Sequence, residues 1–211
     1  MTTEVRGIQT IVKVGGGLLS RAGAFDLVTG ALAAVGKGRR LLVVPGGGPF
    51  AEAVRELVRR IKVSEDAAHW MAILGMDQYA HALTERIPGA VLVEQLPEID
   101  VALDAGLMPV LAPYRWLRAA DPLPHSWSAT SDSVAAWIAG AVGAKRIVLI
   151  KPAKGEISKM VDPLFFRTMP PGVDCVTLTA HEMEKLGDAL DPGQSGPVAH
   201  GQRTRTGQQP Y

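Results

Sequence analysis

The chain has 211 residues, of which 47% are hydrophobic, 20% charged and 5% aromatic, and its formal net charge is +1. A chain of this size can bury a large aliphatic core in one α/β domain, or in two lobes that share a sheet. The balanced charge and the short basic runs (Arg39-Arg40 and Arg59 to Lys62) give no footprint for nucleic acid. No apolar run approaches the about 20 residues needed to cross a bilayer. The single cysteine, Cys175, excludes an internal disulfide and a cysteine-built metal site. Within Val173-Asp174-Cys175-Val176 it reads as a buried, inert thiol. The polar N-terminus lacks the apolar region of a signal peptide, and a cytoplasmic protein is expected.

In chain order, Ile8 to Val14 is a β-branched run ending in Gly15-Gly16-Gly17, a buried strand and then a loop. A helix is expected over Ala24 to Val35, and a second buried strand over Arg40 to Val44. That strand ends in Pro45-Gly46-Gly47-Gly48-Pro49. The helix after it carries Phe50, Val54, Leu57, Val58 and Ile61 on one stripe. Ser64-Glu65-Asp66 supplies a cap and two first-turn acids for a helix running to about Glu85. Ala90 to Val93 and Met108 to Leu111 read as short strands, and Pro113 to Ser128 as a polar connection. Thr130 to Ser133 opens a helix with Val134, Trp137, Ile138, Ala141 and Val142 facing the core, closed by Gly143. Strands follow at Arg146 to Ile150 and Val173 to Leu178, and a last helix at His181 to Leu190. Residues 1–191 are expected to form one domain, and the Gly-, Gln- and Pro-rich stretch 192–211 a disordered tail. Alternating strands and helices predict a mainly parallel sheet with helices on both faces. Ligands of such sheets sit beyond the carboxyl ends of the strands, where the glycine clusters, Lys13 and Lys151 all fall.

Four segments carry chemistry. Lys13 stands in an otherwise apolar strand before Gly15, Gly16 and Gly17, and a cation beside bare amides suits a transferring phosphoryl group. Gly46, Gly47 and Gly48 place amides at a helix N-terminus, a ready anion site. No Gly-Lys-Ser/Thr follows, so this is not a Walker A loop. The form Gly-x-Gly-x-x-Ala raises dinucleotide binding, but the required acid at a following strand end is replaced by the helix start Ser64-Glu65-Asp66. His125, Ser126, Thr130 and Asp132 gather polar groups at one loop-to-helix junction, with Asp132 either a first-turn acid or a partner of Lys13 or Lys151. Lys151 and Lys154 follow a buried strand and could bracket a polyphosphate against Lys13; for Lys154 an exposed basic turn is the simpler reading. His69, Ile73, Asp77 and His81 share a helical stripe; Asp77 and His81, one turn apart, make a metal site conceivable, but a polar face or substrate wall is the simpler reading and no metal ligands are assigned.

Taken in order, Lys13 to Leu19, Val43 to Ala51, Ala67 to Ile73, and His125 to Ser133 resemble the amino acid kinase family. The stretches around His69 and His125 look most like its members in methanofuran biosynthesis, which extend [5-(aminomethyl)furan-3-yl]methyl phosphate to the diphosphate. The resemblance implies a three-layer αβα sandwich, with an acceptor half at about 1–145 and an abbreviated nucleotide half at about 146–191. It implies in-line transfer from ATP with Mg²⁺ to a small-molecule phosphate substrate, and a homo-oligomer. Lys13 would stabilise the transferring group and Asp132 would hold the lysines. Gly15 to Gly17, Lys151 and Lys154 would face the nucleotide. Gly46 to Gly48, His69, His125, Ser126 and Thr130 would face the acceptor. The sequence departs from the family in having Gly17 in place of Ser, and Ala153-Lys154-Gly155 in place of Val-Asp-Gly. That second departure leaves open a non-catalytic anion-binding, storage or regulatory protein of the same fold.

Overall fold

The computed structural model describes residues 7–191. The stretch 192–211, expected to be a disordered tail, lies outside the described residues. Six strands form one sheet: β1 (Thr10–Val14), β2 (Leu41–Pro45), β3 (Ala90–Val93), β4 (Met108–Leu111), β5 (Arg146–Lys151) and β6 (Asp174–Thr179). Their order is β3-β4-β2-β1-β5-β6 and every pairing is parallel. The sheet is therefore wholly parallel where a mainly parallel one was expected. β1 lies at its centre with Lys13 opposite Val44 on one side and Leu149 on the other. All five residues of β1 and all six of β5 are buried, as continuous apolar strands covered on both faces must be.

Alternate strand residues feed two cores. Ile11, Leu42, Val44, Ile147 and Leu149 face one layer. Val12, Val14, Leu41, Val43, Val148 and Ile150 face the other. The second layer holds α1 (Ala24–Gly36) and the C-terminal α9 (Leu186–Leu190). The first holds α4 (Leu96–Asp104), α5 (Tyr114–Ala120), α6 (Ser131–Val142) and the short α8 (Phe165–Thr168). α2 (Gly48–Arg60) packs along α3 (Glu65–Arg86). α3 joins the layers: Trp70, Ile73 and Met76 enter one core, Tyr79, Ala80 and Leu83 the other. Ser64 caps α3 as expected, its Oγ accepting from the Ala67 N–H at 3.2 Å.

Several elements differ from the sequence expectation. Pro113 to Ser128 is not wholly irregular, because Tyr114 to Ala120 forms α5, which Asp121 ends in the left-handed region at φ 42°. α4 was not expected, although Ile99, Ala102 and Leu103 are buried at helical spacing. The last helix breaks into a 3-10 turn (Ala180–Lys185) and α9, because Glu182 leaves helical geometry. Its carboxylate instead accepts from the Thr179 N–H and hydroxyl. On α2 only Val54 of the apolar stripe is buried and Ile61 is exposed. Ala141 is exposed rather than in the core. The stretch after β5 holds α7 (Ile157–Met160) and α8. Cys175 is half-buried on β6, and burial pushes its thiol up to about 12, which suits an inert role.

α8 is a single turn, so its own hydrogen bonds cannot hold it. Phe165 does so, fully buried beneath α6. Phe165→Ala is expected to cost about 3–5 kcal/mol, read as a lowered urea midpoint in equilibrium unfolding.

Candidate functional site

The site is built where β1 and β5 end and α6 begins. Lys13 Nζ lies 2.8 Å from Asp132 Oδ1, and Lys151 Nζ 2.7 Å from Asp132 Oδ2. All three residues are at least nine-tenths buried. The two ammonium groups point at one carboxylate, leaving a net positive triad away from bulk water. Burial alone would raise the Asp132 carboxyl, but the adjacent Lys13 and Lys151 outweigh it and hold the group below the ordinary carboxylate range. Burial, reinforced by Lys13, pulls Lys151 below the usual lysine value. Lys151 also donates to the Met160 carbonyl at 2.7 Å, so the segment after β5 covers it.

The start of α6 is fixed from a distance. Thr130 occupies the cap position without capping through its own side chain. Asp162 does so instead. Its Oδ2 accepts from the Thr130 N–H at 3.0 Å, the Thr130 hydroxyl at 2.8 Å and the Ser133 N–H at 2.9 Å. Its Oδ1 accepts from the Ser133 hydroxyl, and from the Leu164 N–H at 3.1 Å. A buried carboxylate thus satisfies the free amides of the helix that presents Asp132.

The two glycine loops touch. A Cβ on Gly16 would stand 2.0 Å from Gly48 N, so neither loop could approach the other with a side chain there. Gly48 also has φ +55°, a conformation that favours glycine. The Gly15 N–H donates to the Ile150 carbonyl and the Gly46 N–H to the Val14 carbonyl, each at 2.8 Å. These two glycines extend the strand ladder. Gly16, Gly17, Gly47 and Gly48 line a cavity of 710 Å³ between the loops, α2, α3 and the loop before α6. Ser126, Trp127 and Thr130 close one side of it and His69 another. Arg55 on α2 lies over the Trp127 ring at 4.6 Å.

His125 stands behind the cavity wall, not among its lining residues. It stacks on His69 with ring centroids 4.2 Å apart. Its Nδ1 is 2.6 Å from Asp66 Oδ1 and its Nε2 2.8 Å from Asp121 Oδ1. Asp121, with Asp66, raises His125 above the ordinary histidine value. Burial, then the charge on His125, lowers His69. Lys154 is exposed and pairs with Glu182 at 2.9 Å. Asp77 takes the Tyr114 N–H at 3.0 Å and so caps α5. The structure thus gathers Lys13, Asp132 and Lys151 in one cluster, and Gly16, Gly17, Gly47, Gly48, His69, Ser126 and Thr130 in one cavity. Sequence reasoning missed Asp162, Asp66 and Asp121. Each acts across a sequence gap or at an irregular turn, and the only local signal, Asp162 before Pro163, marks a turn at most.

Residues 9–155, most of the chain, match the amino acid kinase family. The chain belongs to that family. A relative from Methanocaldococcus jannaschii, named [5-(aminomethyl)furan-3-yl]methyl phosphate kinase, is 27% identical over 121 residues. That match spans 57% of this chain and 56% of the relative, just over half of each. Uridylate kinase from Archaeoglobus fulgidus superposes with a TM-score of 0.63 at 14% identity, over 85% of this chain and 95% of that one. UMP kinase from Ureaplasma parvum gives 0.56 at 14% identity, over 71% of each. These two likenesses establish the amino acid kinase fold. Among the described residues, no helix is long and apolar enough to cross a membrane.

Asp162→Ala would leave two amides of α6 without a partner. It is expected to cost about 1–3 kcal/mol and to loosen Asp132, seen as faster amide exchange at Thr130 and Ser133. Burial pushes Asp77 up from 3.8 to about 6. The folded state therefore holds this proton more tightly than the unfolded state. Stability should fall as pH rises from 3.8 to about 6 and stay lower above it. Asp77→Asn removes that loss while still accepting from Tyr114. It should raise neutral-pH stability relative to acid by about 1–2 kcal/mol, checked by denaturant midpoints on either side of the window.

Proposed function

We propose that this chain is an ATP-dependent phosphotransferase that carries a small phosphomonoester to its diphosphate. The observation that carries the reading is the buried Lys13–Asp132–Lys151 triad beside two glycine loops in contact. An oxygen of the acceptor's phosphate attacks the γ-phosphorus of ATP. The new P–O bond forms as the bond from γ-phosphorus to the β,γ-bridging oxygen breaks, and ADP leaves with that oxygen. Little covalent work falls to the protein, so positioning and charge neutralisation must do the catalysis. Lys13 faces the transferring group. Asp132 fixes both ammonium groups without cancelling their net charge. The amides of Gly16, Gly17, Gly47 and Gly48 receive the phosphates being joined, while His69, Ser126 and Thr130 line the acceptor's space. Lys151 and the surface Lys154 lie on the nucleotide side, in residues from about 146 to 191. Magnesium would arrive on the nucleotide's phosphates, where it supplies charge neutralisation, since Asp132 is already engaged by both lysines.

The acceptor we assign is [5-(aminomethyl)furan-3-yl]methyl phosphate, in the biosynthesis of a methanofuran-like cofactor of one-carbon metabolism. The support is the relative's name, at 27% identity over 121 residues, and the resemblance of the stretches around His69 and His125. A second reading, an anion-binding or regulatory protein of the same fold without turnover, draws on one observation. Lys151 is closed over by Met160, next to Ala153-Lys154-Gly155.

Single-turnover transfer from labelled ATP–Mg²⁺ to this acceptor tests the proposal. The parent should form diphosphate. Lys13→Ala should slow transfer by about 100- to 1,000-fold, and Asp132→Asn should slow it in the same direction. A parent that binds the acceptor and transfers nothing would establish the second reading.

A further inference from the structure

α3 offers the cavity one stripe of side chains: Glu65, Ala68, His69, Ala72, Ile73 and Met76. Their spacing of three and four places them on one helix face. The inner end of that stripe is fixed at Gly75, where a Cβ would lie 3.1 Å from Ala51 N and from Phe50 Cβ. α3 therefore meets α2 beside the Gly47–Gly48 loop. His69 and Glu65 stand roughly 9 and 15 Å further out along the helix axis. Backbone amides occupy the inner end of the cavity, and Glu65 with His69 the outer end.

The protonation of this outer end follows from geometry. Both ring nitrogens of His125 face carboxylate oxygens, which can only accept. Both nitrogens therefore carry protons. His69 stacks on that imidazolium at 4.2 Å, with the rings inclined by 19°. A second positive charge so close is unfavourable, so His69 stays neutral and keeps a nitrogen lone pair. Glu65 is one turn away on the same wall. Glu52 and Glu56 on α2 are paired with Arg55, Arg59 and Arg60. Glu65 has no such partner among the described residues.

We propose that His69, with Glu65 one turn further out, forms a subsite for a protonated primary amine on the acceptor, on the outward side of its phosphate. The Glu65 carboxylate supplies the countercharge and the neutral His69 ring accepts an ammonium hydrogen bond. His125 is a positioning residue: held by Asp66 and Asp121, it keeps His69 in place and uncharged. This inference rests on the phosphomonoester reading given above and adds which part of the acceptor is recognised.

Two probes test it: [5-(aminomethyl)furan-3-yl]methyl phosphate and its counterpart with hydroxyl in place of amine. Binding is read by calorimetry on the full chain without nucleotide, and transfer separately by steady-state kinetics. The parent should bind the amine probe about 10- to 100-fold tighter than the hydroxyl probe. Glu65→Gln, an exposed and conservative change, should reduce that preference to about threefold or less, and so should His69→Phe. In ¹⁵N imidazole spectra at neutral pH, His125 should show two protonated nitrogens and His69 one. His125→Asn should shift the His69 signals and weaken the amine preference. A preference that survives both Glu65→Gln and His69→Phe would overturn the subsite. So would a parent that shows no preference or binds neither probe. An amine preference without transfer would uphold the subsite while sinking the kinase reading. Transfer to both probes with equal KM would do the reverse.

Discussion

The arrangement turns on one carboxylate between two buried ammonium groups. Lys13 and Lys151 end adjacent parallel strands, so their charges are forced together in a region with little water. Two such cations repel strongly at low effective dielectric. Asp132 makes the placement tolerable, with one oxygen toward each. Breaking a buried ionic cluster by removing one member costs far more than the net worth of the cluster, because the remaining charges are stranded. The triad is thus a poor device for stability and a good one for holding positive charge at a defined point.

Everything around Asp132 serves to fix it. α6 must begin where its first turn reaches both strand ends, and Asp162 sets that start by taking up the free amides at Thr130 and Ser133. Asp162 is itself held by the turn into α8, which Phe165 anchors in the core. The segment after β5 therefore acts twice: its Met160 carbonyl covers Lys151, and its Asp162 positions Asp132. On the other side the glycine loops meet backbone to backbone. A side chain at Gly16 would push the Gly48 loop away and separate the amides from the triad. Close approach here is a steric condition, met by the absence of Cβ atoms.

Much of this was legible in the sequence where cause and effect are local. The buried runs of β1, β2 and β5, the glycine loops after them and the Ser64 cap are each set by adjacent residues. The parallel sheet followed from alternation of strands and helices. Asp132 stood out because a first-turn acid beside two strand-end lysines has a partner within reach. What escaped is non-local. Asp162 caps a helix that begins 31 residues earlier, and nothing around it announces a helix. Asp66 reads as a first-turn acid, and its engagement with His125 exists only once the loop after α5 packs against α3. α4 and α5 are short and bury few side chains, so tertiary contact decides them more than pattern does. The apolar side of α2 predicted deeper burial than it has, because it packs along α3 at the rim of a cavity.

The charges along the cavity give it a direction. At the inner end the groups are backbone dipoles, which attract phosphate without carrying net charge or needing counterions. Behind them lies the triad, whose surplus positive charge the nearby Asp162 partly offsets at Lys151. At the outer end Glu52 and Glu56 are paired with Arg55, Arg59 and Arg60, which leaves Glu65 as the lining carboxylate without an ion-pair partner among the described residues. Behind His69, Asp66 and Asp121 are matched by His125 and by Arg118, which lies over the Trp70 ring at 4.5 Å. The cavity thus offers backbone amides at the glycine loops and one carboxylate without an ion-pair partner, Glu65, at its other end. On the proposed reading, a ligand with an anionic and a cationic end is favoured with its phosphate toward the amides. These end groups would then orient the ligand, and the buried triad would act on a phosphate already aligned with it.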